Sequence, residues 1–202
     1  MTVIIDYGVG NLFSLQSSLH CIGEEACISG DAATIQNAGR LILPGVGAFR
    51  DAREKLSLNG LDRLICAEAE KGKPLLGICL GMQLLFTKSY EFGETDGLGL
   101  ISGEVKSLEP VIPTGYKVPH IGWNELHMKG KPPIFKSIRN GDYVYFVHSF
   151  AAMNCNESVI ATTDYGAELT AAVQRGNVFG MQFHPEKSGE VGLNILRTFC
   201  EM

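Results

Sequence analysis

The chain lacks several features that would place it at once, and each absence excludes a class. No apolar run approaches the ~20 residues of a membrane span, and Met1-Thr2-Val3-Ile4-Ile5-Asp6 has neither the basic start nor the long apolar stretch of a signal peptide, so a cytoplasmic protein is expected. Basic residues are not in excess. Against 22 Asp and Glu stand 17 Lys and Arg, a formal charge of −5, which removes the electrostatic footprint of a nucleic-acid binder. The six cysteines include no C-x-x-C pair, and no H-E-x-x-H occurs, so neither a metal site nor a disulfide framework is indicated. Cys21, Cys27, Cys66, Cys155 and Cys200 read as reduced, mostly packing thiols. There is no internal repeat, low-complexity segment or linker within the 202 residues, and a single domain spanning 1–202 is expected.

What is present has the rhythm of an α/β protein. Val3-Ile4-Ile5 reads as a strand, and Leu12, Leu15, Leu19 and Ile22 recur at helical spacing after it. Between them Gly8-x-Gly10 lacks the third glycine of a dinucleotide fingerprint, so a tight turn near the strand ends is the better reading. Ala26 to Ser29 and Arg40 to Leu43 read as strands, with a short helix over Ala32 to Asn37 capped by Asp31. Helical patterns follow over Asp51 to Leu58 and Leu61 to Lys71. Such alternation implies a mostly parallel sheet covered by helices on both faces, with ligands collecting at the carboxyl ends of its strands. From Phe92 onward shorter β segments take over. Val105 to Leu108, Val118 to Met128, Tyr143 to His148, Ser158 to Thr163, Thr170 to Gln174 and Val178 to Phe183 are expected as strands, with Arg175-Gly176-Asn177 as a hairpin turn and a final helix over Ser188 to Cys200.

The chemistry centres on Gly77-Ile78-Cys79-Leu80-Gly81-Met82-Gln83. An apolar run, Pro74 to Ile78, leads into a cysteine with glycine two residues before and after it, and a helical pattern follows. That is the strand-turn-helix layout of a nucleophile elbow, with cysteine in place of serine. A helix N-terminus would favour its thiolate, and the following amides, beginning with Leu80, would face an oxyanion. Pro44-Gly45-Val46-Gly47-Ala48-Phe49 breaks the third strand where backbone amides could turn toward a ligand; taken alone it is an ordinary strand-to-helix turn.

A cysteine nucleophile needs a base and a group that orients it. His20 and His127 are unmarked by their neighbours, and His148 ends an apolar strand as structural histidines do. His184 is followed by Pro185 and Glu186. Residues two apart in extended chain project to the same side, and proline holds His184 extended, so Cys79, His184 and Glu186 are the expected nucleophile, base and orienter.

These residues resemble the class I, triad-type glutamine amidotransferases, which hydrolyse glutamine to glutamate and ammonia. Adding Asp6 to Leu12, Pro44 to Phe49, Lys117-Val118-Pro119-His120-Ile121-Gly122-Trp123-Asn124 and Phe146 to Phe150 makes the chain similar, over essentially its whole length, to the glutaminase subunits of imidazole glycerol phosphate synthases. The Pro-His-x-Gly-Trp-Asn stretch is the most specific part of the likeness. The resemblance implies a flavodoxin-like α/β fold, a mostly parallel central sheet flanked by helices, with an additional antiparallel β section in the C-terminal half.

It further implies that Cys79 attacks the glutamine carboxamide, that His184 protonates the departing ammonia, and that the Leu80 amide and an amide of the Gly45-Val46-Gly47 loop hold the oxyanion. Gln83 and Glu91 match positions that hold the α-amino and α-carboxylate end of glutamine, with Gly45 and the backbone of Ser149 and Phe150 assisting. Phe150 stands where such proteins often carry tyrosine. No cofactor is implied. The chain has no phosphate-binding G-x-x-x-x-G-K-[ST] loop and no second acceptor domain. Ammonia released to water would be protonated and no longer nucleophilic, so the family implies a separate partner, a (β/α)8 cyclase, that Asn11, Trp123, Tyr145 and Lys187 would face. For Trp123 a core position is the alternative. Two other readings stay open at this stage, a glutaminase serving a different acceptor and a hydrolase-like scaffold.

Overall fold

The computed structural model describes residues 1–202. The first half is built from β1 (Thr2–Ile5), α1 (Leu12–Cys21), β2 (Ala26–Ser29), α2 (Ala32–Asn37), β3 (Arg40–Leu43), α3 (Phe49–Leu58), α4 (Leu61–Glu70), β4 (Leu75–Ile78) and α5 (Leu80–Leu84). Then come β5 (Phe86–Ser89), β6 (Thr95–Asp96), β7 (Ile101–Ser107), β8 (His120–Glu125), β9 (His127–Met128), β10 (Tyr143–His148) and β11 (Phe150–Met153). The chain closes with β12 (Val159–Asp164), β13 (Glu168–Arg175), β14 (Val178–Met181) and α6 (Gly189–Cys200). No helix is long and apolar enough to cross a membrane.

The main sheet has eight strands in the order β2-β1-β3-β4-β14-β13-β12-β9. The first five run parallel, and β13, β12 and β9 extend the sheet antiparallel. Strands buried on both faces need no polar alternation, which is why β4 and β14 are apolar throughout and β1 is apolar after Thr2. Period-two geometry divides their side chains between two cores. Val3, Ile5, Leu41 and Leu43 pack with Ile35, Phe49, Leu56 and Ile65 of α2, α3 and α4, whereas Ile4, Ile42, Leu76 and Phe179 pack with Leu15 and Leu19 of α1 and Ile195, Leu196 and Phe199 of α6. The mostly parallel sheet with helices on both faces is thus present, together with the antiparallel section.

Several boundaries differ from those read off the sequence. The helix after Cys79 ends at Leu84, and the following residues form β5, which the apolar pattern hid. The segment Val118 to Met128 is two strands in two sheets: β8 pairs with β10 as a separate ribbon, and β9 joins the edge of the main sheet through β12. The change of sheet falls at Leu126, which is fully buried and tied by backbone hydrogen bonds to Gly141 and Asp142. A further four-stranded sheet, β11-β7-β5-β6, completes the structure.

Three turns at the carboxyl ends of β1, β3 and β4 converge. Tyr7 Oη donates to Pro44 O at 2.7 Å, a Cβ on Gly10 would lie 3.1 Å from Pro44, and one on Gly45 would lie 2.8 Å from Gly81 N. Gly8-x-Gly10 therefore acts as a close-packing turn. The tightest contact is at Gly81, where an added Cβ would sit 1.8 Å from Leu43 O. Backbone cannot yield as a flexible side chain can, so Gly81→Ala is expected to cost about 3 kcal/mol or more. At Gly99, where only the left-handed conformation is at stake, alanine should cost about 1 kcal/mol. Denaturant melts of the two variants check the difference.

Candidate active site

Cys79 lies between β4 and α5 with φ 53° and ψ −112°, a conformation that L-residues avoid. Strain of this kind costs about 1–3 kcal/mol and persists only where surroundings over-determine it. Here they do. Cys79 N donates to Met181 O at 2.7 Å, Gln83 N donates to Cys79 O at 3.1 Å, and a Cβ on Gly77 would lie 2.6 Å from Gly81 O. Two glycines are therefore required by backbone packed against backbone. The five residues of α5 align few peptide dipoles, so less support for a thiolate comes from a macrodipole than the sequence suggested. Leu80, the first residue of α5, has an amide without an intrahelical acceptor.

His184 comes three residues after the end of β14, which pairs parallel to β4 with Met181 opposite Ile78. This register brings His184 into the same cleft as Cys79. Its Nδ1 meets Glu186 Oε1 at 2.8 Å, with both side chains buried. Glu186 Oε2 has no partner, so the carboxylate is committed to this one ring nitrogen. A proton on Nδ1 leaves Nε2 free for the sulfur. Burial alone would lower the pKa of His184, but hydrogen bonds and charge from Cys79 and Glu186 outweigh it and raise the value from 6.5 to about 9. The ring thus favours the imidazolium form beside a sulfur, the state a thiol nucleophile requires.

The cleft of about 440 Å³ is lined by Val46, Gly47, Cys79, Leu80, Gln83, Glu91, Phe92, Pro119, Val147, His148, Ser149, Phe150 and His184. Of the residues expected to contact glutamine, Gly45 lies beneath rather than in the lining, packed on Gly81, Leu80 and Tyr7. It acts as a spacer. Val46 is 45% exposed, and neither its amide nor that of Gly47 (φ 95°) donates to another protein group. Glu91 Oε2 accepts from Phe49 N at 2.7 Å at the start of α3; burial raises its carboxyl pKa, partly offset by that amide. Phe150 lines the cleft, and its carbonyl is already used, accepting from Gln83 Nε2 at 3.0 Å and from His148 Nδ1 at 2.9 Å. The Phe150 ring stands edge-on to Phe92, a residue 80% exposed at the rim with φ 52°.

His148 lines the cleft yet is no base. Its Nε2 meets His120 Nδ1 at 3.0 Å, and burial, with the neighbouring His120 and His184 adding to it, pushes its pKa down to about 3. The network runs on from His120 Nε2 to Asn124 Oδ1 at 2.8 Å. Sequence reasoning gave no role to Gln182, Tyr7, His120 or Phe92. Tyr7 and His120 lay within stretches that carried the likeness, and Gln182 carried a geometric signal, being two residues before His184 and so on the same side of extended chain.

The residues expected to face a partner lie outside the cleft. Trp123 is 51% exposed, which excludes the core alternative. It stands edge-on to Tyr145, its register partner across the β8–β10 ribbon, and Lys187 Nζ lies 5.8 Å above the Tyr145 ring. Ile121, 57% exposed, shares this face. Asn11 is apart from them in sequence, at the start of α1, which packs beside the Pro185–Lys187 turn. The ribbon and the triad share backbone: His184 N donates to Tyr145 O at 2.9 Å, and Ser188 Oγ is 3.0 Å from Tyr145 N.

A strained cysteine turn on a parallel sheet, faced by a histidine held by glutamate, defines a cysteine-nucleophile hydrolase architecture. The glutamine amidotransferase class-I family model matches residues 3–202, and the chain belongs to that family. It is 53% identical to the imidazole glycerol phosphate synthase subunit HisH of Caldanaerobacter subterraneus subsp. tengcongensis, covering 100% of this chain and 98% of the relative. It is also 48% identical to the subunit of the same name from Aquifex aeolicus, covering 98% and 95%. Among solved structures, a glutamine amidotransferase superposes with a TM-score of 0.76 at 21% identity, over 98% of this chain and 97% of that one, which bears on the fold alone.

The elevated pKa of His184 has a definite sign. Folding holds the imidazolium more tightly than the unfolded chain does, so this stabilisation is complete below about 6.5 and lost as pH rises through about 9. The alkaline limb of kcat/KM for an amide substrate should fall near the same value. Glu186→Gln, which keeps the shape and removes the charge, is expected to move that limb to lower pH by about 1 unit or more. An unmoved limb would show that Glu186 does not set the His184 proton affinity.

Proposed function

We propose that this chain is the glutaminase subunit of an imidazole glycerol phosphate synthase. It hydrolyses L-glutamine to glutamate and ammonia and passes the ammonia to a (β/α)8 cyclase, which makes imidazole glycerol phosphate and aminoimidazole carboxamide ribotide in histidine biosynthesis. The observation that carries this reading is Cys79, held at φ 53° in a cleft shared with a His184 that Glu186 orients. Near-complete coverage of relatives at about half identity supports the particular acceptor over another amidotransferase acceptor.

The chemistry follows from the positions. The Cys79 thiolate attacks the glutamine γ-carbonyl carbon, and the resulting oxyanion takes hydrogen bonds from the Leu80 amide and from an amide of the Val46–Gly47 turn. His184 Nε2–H gives its proton to the departing nitrogen, so that ammonia leaves and a γ-glutamyl thioester remains. A water deprotonated by His184 then adds to the thioester, glutamate departs, and the thiolate is restored. Gln83 and Glu91 hold the amino-acid end with the backbone of Ser149 and Phe150 assisting, and Oε1 of each of Gln83 and Glu91 is left to face it.

The cyclase docks on the aromatic ribbon face, where Trp123, Tyr145 and Lys187 cluster, together with Asn11. Because Tyr145 also hydrogen-bonds the His184 turn, the docking face and the site share one strand. The exposed Val46–Gly47 turn, with no protein acceptor for its amides and open space around Gly47, supplies an oxyanion donor that docking completes. The isolated chain should accordingly hydrolyse glutamine slowly.

Cys79→Ala should abolish glutamine-dependent synthesis by the pair while ammonia-dependent synthesis continues; equal loss of both contradicts the assignment. Trp123→Ala should weaken cyclase binding about tenfold or more, read by titration calorimetry. Full glutaminase turnover without the cyclase would overturn the incomplete oxyanion site.

A further inference from the structure

Gln182 is fully buried and outside the cleft lining, and none of the roles above uses it. Its orientation follows from a group that has only one polarity. Phe150 O can only accept, so the end of Gln83 that lies 3.0 Å from it is the NH2 group. The same NH2 lies 3.0 Å from the Gln182 side chain, whose facing atom must then be the carbonyl Oε1. Gln182 is left with its own NH2 directed at Cys79 Sγ, at 3.7 Å. Reversing Gln182 alone would oppose two NH2 groups. Reversing both amides would set Gln83 Oε1 against Phe150 O. His148 Nδ1, also on Phe150 O, fixes the anchor itself.

We infer that Gln182 is a further catalytic residue, whose side-chain N–H donates to the Cys79 sulfur and stabilises it as the attacking thiolate. The inference rests on Cys79 being the nucleophile. Besides His184, the sulfur meets Val147 O at 3.9 Å, which can only accept and so suits the neutral thiol, whereas Gln182 suits the anion. Proton loss from Cys79 thus exchanges a thiol donating to Val147 O for a thiolate accepting from Gln182. Gln83 serves twice, since its NH2 fixes this polarity and only its Oε1 remains for substrate. A hydrogen bond to a charged acceptor is worth more than one between neutral groups, and a donor fixed before reaction needs no reorganisation during it.

The test is Gln182→Met, which keeps length and volume but cannot donate, assayed as the complex with the cyclase. The expected result is a kcat for glutamine hydrolysis about 10- to 100-fold lower, with KM within about twofold because residue 182 does not line the cleft. Carbamidomethylation of Cys79 by iodoacetamide at fixed pH should slow by a similar factor. Gln182→Glu, which still accepts from Gln83 but turns an oxygen to the sulfur, should be slower than the Met variant in both assays and decides the matter if the Met variant does not co-elute with the cyclase. Wild-type rates in the Met variant would overturn the inference and leave Gln182 a packing residue. A wild-type complex that alkylates at Cys79 but hydrolyses no glutamine would contradict the proposed function instead, while the alkylation comparison still reports on Gln182.

Discussion

The close approach of Gly81 to the carbonyl of Leu43 is the constraint on which the rest of the site depends. It presses the turn after β4 onto the end of β3, with Gly77 admitting Gly81 from the other side. Cys79, between them, has no room for relaxed backbone and takes a positive φ that lifts its sulfur out of the strand. The same contact seats Gly45 against Gly81 N and Tyr7 Oη, bringing the Val46–Gly47 turn to the rim of the cleft. Conformational energy lost at Cys79 is offset by packing that also assembles the neighbouring loops.

The second half of the site arrives through register. Because β14 pairs with β4 one residue for one residue, Met181 lies opposite Ile78 and its carbonyl holds the Cys79 amide. Gln182 and His184, on alternate positions just beyond, are thereby delivered to the sulfur from one side. Strands β10 and β11 close the arrangement, β10 tying the His184 turn through Tyr145 and β11 the Gln83 amide through Phe150 at its start. An aromatic surface and a buried nucleophile are in this way separated by a single layer of backbone.

Much of this was legible in the sequence because it rests on local backbone demands. The glycine spacing around Cys79, the apolar runs of the parallel strands and the Asp31 cap, which accepts from Thr34 N at 2.8 Å, each have one physical cause that a short stretch displays. His184-Pro185-Glu186 was legible for the same reason, since two neighbouring side chains and a proline define their own geometry. What stayed hidden depends on contacts between distant segments. Nothing local marks Tyr7 as the hydroxyl beneath Pro44, or Leu126 as the point where one β segment changes sheets. The polarity of Gln182 is set by a carbonyl 32 residues earlier in the chain, counting from 150 to 182, through a third residue. Gly45 entered as a substrate contact through the family resemblance, and no local signal announced that its lack of a side chain also serves packing against Gly81, Leu80 and Tyr7.

The most direct test of the central claim is to trap the covalent intermediate. The complex with the cyclase, turning over isotopically labelled glutamine, would be quenched in acid and digested, and the peptides analysed by mass spectrometry. The account predicts a γ-glutamyl adduct on the peptide containing Cys79, lost when glutamine is replaced by ammonia. Turnover with no adduct at Cys79, or with the label on another cysteine such as Cys155, would contradict it.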